Sequence, residues 1–212
     1  MIIYIFDDME NIDVKEVLSL IERMPPQRAI QAQKYIHLKD RLICVLSFLL
    51  LEYGLKEAGI SREEGLHFTY GRYEKPYLKE GNIFFNISHT EDKIICCIAD
   101  NECGADIEKI KPLKEDLIRR VCSDEEINML LESKNKEELF TKLWTMKESY
   151  IKYKGASIGM DLKKIRILIQ KESVFVQSSK YGQYIISVSS SSKKALAYKN
   201  ISLKELLNQN DN

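Results

Sequence analysis

Helical and strand-like stretches come in alternating blocks along this chain, and that order limits the fold more than any single motif. Val14, Val17, Leu18 and Ile21 recur at helical spacing, and the run stops at Pro25-Pro26. Residues 27–36 and 40–56 continue as helices, the second with a wide apolar face that a packed core helix explains. Beyond Gly59 the texture changes. The stretches 67–73, 83–88, 93–99 and 104–110 are short and rich in β-branched and aromatic residues, with turns such as Gly81-Asn82 between them. Helices return at 113–121, 123–133 and 136–154. Strands follow at 164–169, 173–177, 184–189 and 194–198, then a short helix at 203–208. With 2–6 as an opening buried strand, the pattern predicts an α+β fold in which the second half repeats the first. The segment Ile87-Ser88-His89-Thr90-Glu91-Asp92-Lys93 aligns without gaps to Val188-Ser189-Ser190-Ser191-Ser192-Lys193-Lys194, each reading as strand, polar turn, strand. Any two hairpins share that pattern, so repeat and coincidence both remain open.

Composition narrows the function. The 212 residues fit one ordinary domain or two small ones. Thirty-two basic residues balance 32 acidic ones, which argues against bulk nucleic-acid binding. The longest apolar run, 42–51, is far short of the roughly 20 residues of a membrane span. The N-terminus lacks a basic region and turns acidic at Asp7-Asp8, unlike a signal peptide. Five cysteines without a C-x-x-C pair read as reduced thiols, so the chain is expected to be cytoplasmic. Three histidines without paired spacing argue against a zinc site.

Four segments could carry chemistry. In Gly104-Ala105-Asp106-Ile107-Glu108 the strand period places Asp106 and Glu108 on one face. Two adjacent carboxylates mark either a solvated strand edge or a place where a cation sits. In 140–152, Phe140, Trp144 and Ile151 form one helical stripe with Lys147 in its middle, and Glu148 and Lys152 lie together along its edge. Glu148 and Lys152 read alternatively as an ordinary ion pair, and Lys147 as a snorkelling stem. Asn86-Ile87-Ser88-His89 ends a strand where a polar cluster either holds a phosphate or is simply exposed. Arg72-Tyr73-Glu74-Lys75-Pro76-Tyr77 sets an aromatic beside an extended Lys-Pro backbone. Ser123-x-x-Glu126 is a helix capping box, so Glu126 is either a cap or a group near the site.

Taken in order, YEKPYL (73–78), FNISH (85–89), GADIEKIKP (104–112), Ser123 to Glu126 and FTKLWTMKESYIKYKG (140–155) resemble the Sfp-type 4′-phosphopantetheinyl transferases. The combination of G-x-D-I-E-K with a later W-x-M-K-E-x-x-x-K is specific, and the resemblance runs along the whole chain. It implies two similar α+β halves related by a pseudo-twofold, 1–102 and 103–212, in a monomer with the active site at their interface. It implies coenzyme A as co-substrate, magnesium as cofactor, and an apo-acyl or peptidyl carrier protein as partner, with neither nucleic acid nor membrane.

The resemblance also implies roles for residues. Asp106, Glu108 and Glu148 fall where the family binds magnesium. Glu148 and Lys152 are the expected catalytic groups, as base and as fixed positive charge. Lys152, Ser88 and His89 fall where the family contacts the phosphates, and the 73–76 backbone where adenine sits, so Tyr73, Lys75 and Pro76 are expected there. Lys147 is expected beside the cofactor on the supporting helix. Two positions depart from the family. Glu74 replaces the usual glycine before Lys-Pro, adding an anionic side chain near a phosphate-rich ligand. Ile43 stands where a basic residue often reaches the 3′-phosphate, leaving Arg28, Lys34 and Arg41 as the expected substitutes. The basic residues Lys109, Lys111, Lys114, Arg119 and Arg120 form an expected docking face for an acidic carrier. A magnesium-dependent diphosphate hydrolase and a non-catalytic coenzyme A or carrier-binding module are the competing functions.

Overall fold

Strand β1 (Ile2–Phe6) buries four of its five residues and anchors a sheet whose other members come from distant parts of the chain. A computed structural model describes residues 1–60, 66–79, 82–156, 160–166 and 174–208. The chain divides into two units. The first holds Met1–Thr69, Pro76–Asp100 and Ala195–Asn212, and the second Tyr70–Lys75 and Asn101–Lys194.

In the first unit, β4 (Phe84–His89), β5 (Ile94–Ala99), β1 and β9 (Ala197–Asn200) lie side by side in that order. β5 is antiparallel to both neighbours and buried at every residue, and β9 runs parallel to β1. Helices α1 (Val14–Ser19), capped by the Asp13 carboxylate, and α2 (Pro26–Lys34), which starts with proline at its first turn, lead to α3 (Leu38–Glu57). Buried residues of α3, from Leu42 to Leu55, join Tyr4, Phe6, Phe85 and Ile94 in the core of this unit. The expected helix over 14–24 is α-helical only to Ser19, then tightens into a 3₁₀ turn over Leu20–Arg23 before the prolines. Two short strands, β2 (Phe68–Tyr70) and β3 (Pro76–Leu78), pair separately.

The second unit is a three-stranded antiparallel sheet, β6 (Cys103–Lys109), β8 (Tyr184–Ser190) and β7 (Phe175–Tyr181), in the order β6-β8-β7. Helices α4 (Glu115–Val121) and α5 (Asp124–Glu132) precede α6 (Lys136–Lys154), which packs on β6 and β8. A row of small hydroxyls joins α6 to the sheet. Thr145 and Ser187 share a 2.7 Å hydrogen bond, and Ser149 and Ser189 one of 2.8 Å. The serines of β8 therefore belong to a packed interior, where every hydroxyl needs a partner. Gly155, in the left-handed conformation at φ 56°, ends α6.

Two expectations about the second half change. The C-terminal stretch 195–212, placed with the second half by the sequence, belongs to the first unit. The segment 188–194 also opens no hairpin of the β4–β5 kind. β8 has β6 and β7 on its two sides, so both its hydrogen-bonding edges are taken, and β9 pairs with β1 instead. The strand expected over 164–169 begins in a 3₁₀ turn, Leu162–Lys164, and its residues 167–169 lie outside the described residues. A short helix α7 (Leu203–Leu207) closes the chain's described part. The five cysteines are free thiols, as expected. Among the described residues, no helix is long and apolar enough to cross a membrane.

Candidate active site

The strand period of β6 sends Gly104, Asp106 and Glu108 to one face. That is the face α6 covers, and Gly104 is where the two backbones meet. A Cβ there would lie 2.1 Å from the Ser149 carbonyl oxygen and 2.2 Å from the Tyr153 nitrogen. The neighbours of those two residues in sequence, Glu148 and Lys152, are thereby held close to the strand. Lys152 Nζ donates to Asp106 Oδ1 at 2.7 Å, with Asp106 buried and Lys152 partly open.

The carboxylates act on one another. Burial first, and the Asp106 charge second, push the Glu108 carboxyl up to about 7, with Lys111 and Lys152 opposing. Burial and Asp106 likewise raise Glu148 above the usual carboxylate range, against Lys152. Three carboxyl groups thus act on one another, opposed by the Lys152 ammonium at Glu108 and Glu148 and by Lys111 at Glu108. Their oxygens are the donors that a hard divalent cation takes. Among the described residues, no three Asp, Glu, His or Cys side chains stand close enough to hold an ion as they are arranged. In this arrangement the Lys152 ammonium is the cation on Asp106.

Lys147, one residue before Glu148, is fully buried. Its ammonium donates to the Val121 carbonyl at 2.7 Å, to Glu126 Oε2 at 2.5 Å and to the Leu162 carbonyl at 3.0 Å. Glu126 also accepts from the Ser123 backbone N–H at 2.8 Å and completes the capping box of α5. Next to Glu108, a cavity of about 200 Å³ is lined by Leu113, Leu117, Phe140 and Trp144, with Lys109, Lys111 and Lys114 around it.

The first unit holds a second cavity of about 250 Å³, lined among others by Arg28, Tyr35, Ser47, Pro76, Asn86 and His89. Arg28 is buried there. It donates from Nη1 to Gln31 at 3.2 Å and stands 5.5 Å from the Phe68 ring centroid, while its Nε has no hydrogen-bond partner among the described residues. A buried guanidinium N–H without an acceptor suits an anionic guest.

Comparison with known proteins places this geometry. Residues 102–201, which contain β6, α6 and every group around Asp106, match the model of the 4′-phosphopantetheinyl transferase superfamily. The chain is 28% identical over 151 residues to the 4′-phosphopantetheinyl transferase Sfp of Bacillus subtilis strain 168, covering 69% of this chain and 67% of that protein. It is 33% identical over 149 residues to a second 4′-phosphopantetheinyl transferase from B. subtilis, at 65% and 63% coverage. It is 31% identical over 124 residues to the gsp transferase of Aneurinibacillus migulanus, at 58% and 52%. Over these stretches the chain is similar to 4′-phosphopantetheinyl transferases.

Against the roles that this similarity suggests, the expected residues fall into groups. Asp106, Glu108, Glu148 and Lys152 come together on β6 and α6. Arg28, Pro76 and His89 share the first unit's cavity, and Ile43 lines it where the family often has a basic residue. Lys34 is exposed and Ser88 buried within β4, and neither is on that cavity's wall. Arg41 is also off the wall and gives Nη2 to the Tyr35 carbonyl at 2.9 Å, fixing the turn between α2 and α3. Tyr73 is exposed, with the Arg72 guanidinium 5.5 Å from its ring centroid.

Two lysines have other work than contacting the cofactor. Lys75 is buried, and its ammonium bonds Glu102, the Cys103 carbonyl at 2.9 Å and the Tyr153 carbonyl at 3.4 Å. Lys147 spends all three of its N–H bonds inside the second unit, so none is left for a ligand. Glu74 has a backbone φ of 60°, the one left-handed non-glycine among the described residues. Glycine, the residue expected before Lys-Pro from the resemblance, adopts that conformation without a Cβ penalty. Sequence reasoning overlooked Gly104 as a contact point, although a glycine inside a strand is a known sign of close backbone approach.

Proposed function

We propose that this chain transfers the 4′-phosphopantetheine group of coenzyme A to a serine hydroxyl of an apo-acyl or peptidyl carrier protein, releasing 3′,5′-ADP. The observation that carries this reading is the Asp106–Lys152 pair at 2.7 Å, set beside Glu148 and Glu108 inside the segment that matches the superfamily. In the reaction, the serine oxygen bonds to the phosphorus attached to pantetheine. The bond from that phosphorus to its bridging oxygen breaks, and the nucleotide leaves with the electron pair. Such a transfer depends on positioning and charge neutralisation.

Asp106, Glu108 and Glu148 would hold magnesium, which would supply positive charge to the diphosphate oxygens. Lys152 places a fixed ammonium where negative charge develops on the leaving group. Glu148, whose carboxyl is raised by burial and by Asp106, takes the proton of the attacking serine. The unsatisfied Arg28 Nε, with His89 in the lining of the same cavity, supports binding of an anionic group such as a phosphate in the first unit. The Lys109–Lys114 rim, outside the apolar cavity beside Glu108, receives the acidic carrier.

Intact-mass spectrometry of apo-carriers incubated with the protein, coenzyme A and magnesium tests the reading. A gain of one phosphopantetheine per carrier is the expected result. Cleavage of coenzyme A without any carrier would identify a hydrolase, and binding without turnover a non-catalytic module. Glu148→Gln separates the two tasks of that residue. As the base, its loss slows turnover by roughly 10²–10⁴-fold whatever the magnesium concentration. Full rescue by magnesium would make it a ligand only.

A further inference from the structure

We infer that Lys147, through its buried pairing with Glu126, is a positioning residue that sets the rotational phase of α6 and so aims Glu148 at the transfer site. The inference rests on the function proposed above. Its basis is the number of elements one ammonium ties together. The Val121 carbonyl is an orphan at the C-terminal end of α4, Glu126 caps α5, and Leu162 begins the 3₁₀ turn. A cation satisfies a helix's C-terminal carbonyl and a first-turn carboxylate at once. Each of the three N–H groups has one acceptor, so the ammonium's position is fully specified.

The geometry of α6 turns that fixed point into an orientation. Successive helical residues differ by about 100° in direction. With Lys147 pinned toward α4 and α5, Glu148 is turned toward the β6 face, where Asp106 acts on it. A second constraint comes from the other side of the helix, where the backbone at Ser149 and Tyr153 closes on Gly104. One contact stops the helix from moving toward the strand, and the other stops it from rolling about its axis. The same helix lends Phe140 and Trp144 to the lining of the cavity beside Glu108, which Leu113, just before α4, and Leu117, within it, also line. The Lys147 tie to the end of α4 therefore also fixes the width of that cavity.

A buried ion pair can often be exchanged for neutral groups without loss of stability, which separates its structural from its positioning role. The test is Lys147→Met with Glu126→Gln, where the glutamine keeps the acceptor for Ser123 N–H. Unfolding midpoint, kcat, the KM for coenzyme A and acrylamide quenching of Trp144, the chain's single tryptophan, are measured together. Expected are a folded protein, a coenzyme A KM within about twofold of wild type, a kcat lower by about 10- to 100-fold, and a Trp144 more open to quencher. Wild-type kcat in the folded double variant, or a Trp144 signal identical to wild type, overturns the inference. If the double variant fails to fold, Glu126→Gln alone serves. It weakens the tie while keeping both carbonyl bonds, and an unchanged kcat there is equally decisive. A wild type that modifies no carrier refutes the function, and the Trp144 measurement then decides the positioning claim alone.

Discussion

Replacing Gly104 by alanine puts the packing of α6 on β6 to its hardest test. The added methyl carbon would sit 2.1 Å from the Ser149 oxygen, 2.2 Å from the Tyr153 nitrogen and 2.8 Å from its Cα. All three are backbone atoms of a helix, so no rotamer change relieves the clash. Ordinary contacts to carbon lie at about 3.5–4.0 Å, so the helix must retreat by on the order of 1 Å. Overpacking of this kind costs about 1–3 kcal/mol. The retreat also stretches the Ser149–Ser189 and Thr145–Ser187 hydrogen bonds, each worth about 0.5–1.5 kcal/mol. A total near 3 kcal/mol lowers the melting midpoint by roughly 6–12 °C for a chain of this size. The Lys152–Asp106 pair, now at 2.7 Å, opens with the helix, and kcat should fall by about 100-fold even where the variant is folded. Urea unfolding followed by circular dichroism, with carrier modification at a temperature where both proteins are folded, measures the two effects. Gly182→Ala is the control. Gly182 has φ +57° and open space around it, so that change costs only backbone strain, about 1 kcal/mol, and leaves kcat alone. A Gly104→Ala protein with wild-type midpoint and turnover would refute the close-approach argument.

Three further expectations follow from the same structure. Burial and Asp106 raise the Glu108 carboxyl from 4.5 to about 7, so the folded state holds a proton that the unfolded chain has released. Its stabilising effect is complete below about pH 4.5 and is lost as pH rises through 7; discounted for partial solvent exposure, the loss is about 1–2 kcal/mol. Thermal melts from pH 5 to 8 should show it, Glu108→Gln should remove it, and added magnesium should offset it most at pH 8; a pH-independent difference between the two proteins would contradict the assignment. Glu74→Gly relieves about 1–2 kcal/mol of left-handed strain against about 0.4–1 kcal/mol of added unfolded-chain entropy. A higher urea midpoint is therefore expected, and a lower one would mean that the Glu74 side chain stabilises its loop. Joint charge reversal at Lys114 and Arg119, both exposed, should raise the KM for the carrier and leave that for coenzyme A unchanged; equal effects on both substrates would place docking elsewhere.

The sequence predicts a helix over 136–154, and α6 spans Lys136–Lys154. A long periodic stripe and the glycine that follows it leave little freedom at either end. The shared face of Asp106 and Glu108 was readable because strand alternation is a local property. Other features depend on distant partners. Lys147 stood out as a cation on an apolar stripe, but nothing near it in sequence points to Val121, Glu126 or Leu162 as its acceptors. Lys75 belonged to a legible Lys-Pro turn, yet its side chain is claimed by Glu102, Cys103 and Tyr153. The mistaken hairpin after β8 has the same origin. Sequence gives the strand and the turn, whereas which edge is still free to pair is a property of the assembled sheet.

The parallel pairing of β1 with β9 sets a schedule for synthesis. The strand Ile2–Phe6 leaves the ribosome nearly two hundred residues ahead of its partner Ala197–Asn200. Until then one edge of an apolar strand is unpaired, which is the kind of surface that recruits other chains. The segment 101–194, emerging in between as one continuous stretch, can form its own sheet and helix while the first unit waits. Nascent chains stalled just before residue 197 should therefore protect the second unit from proteolysis while leaving β1 a target for chaperones, and slow release of the last strand, rather than local helix formation, should limit the yield of native protein.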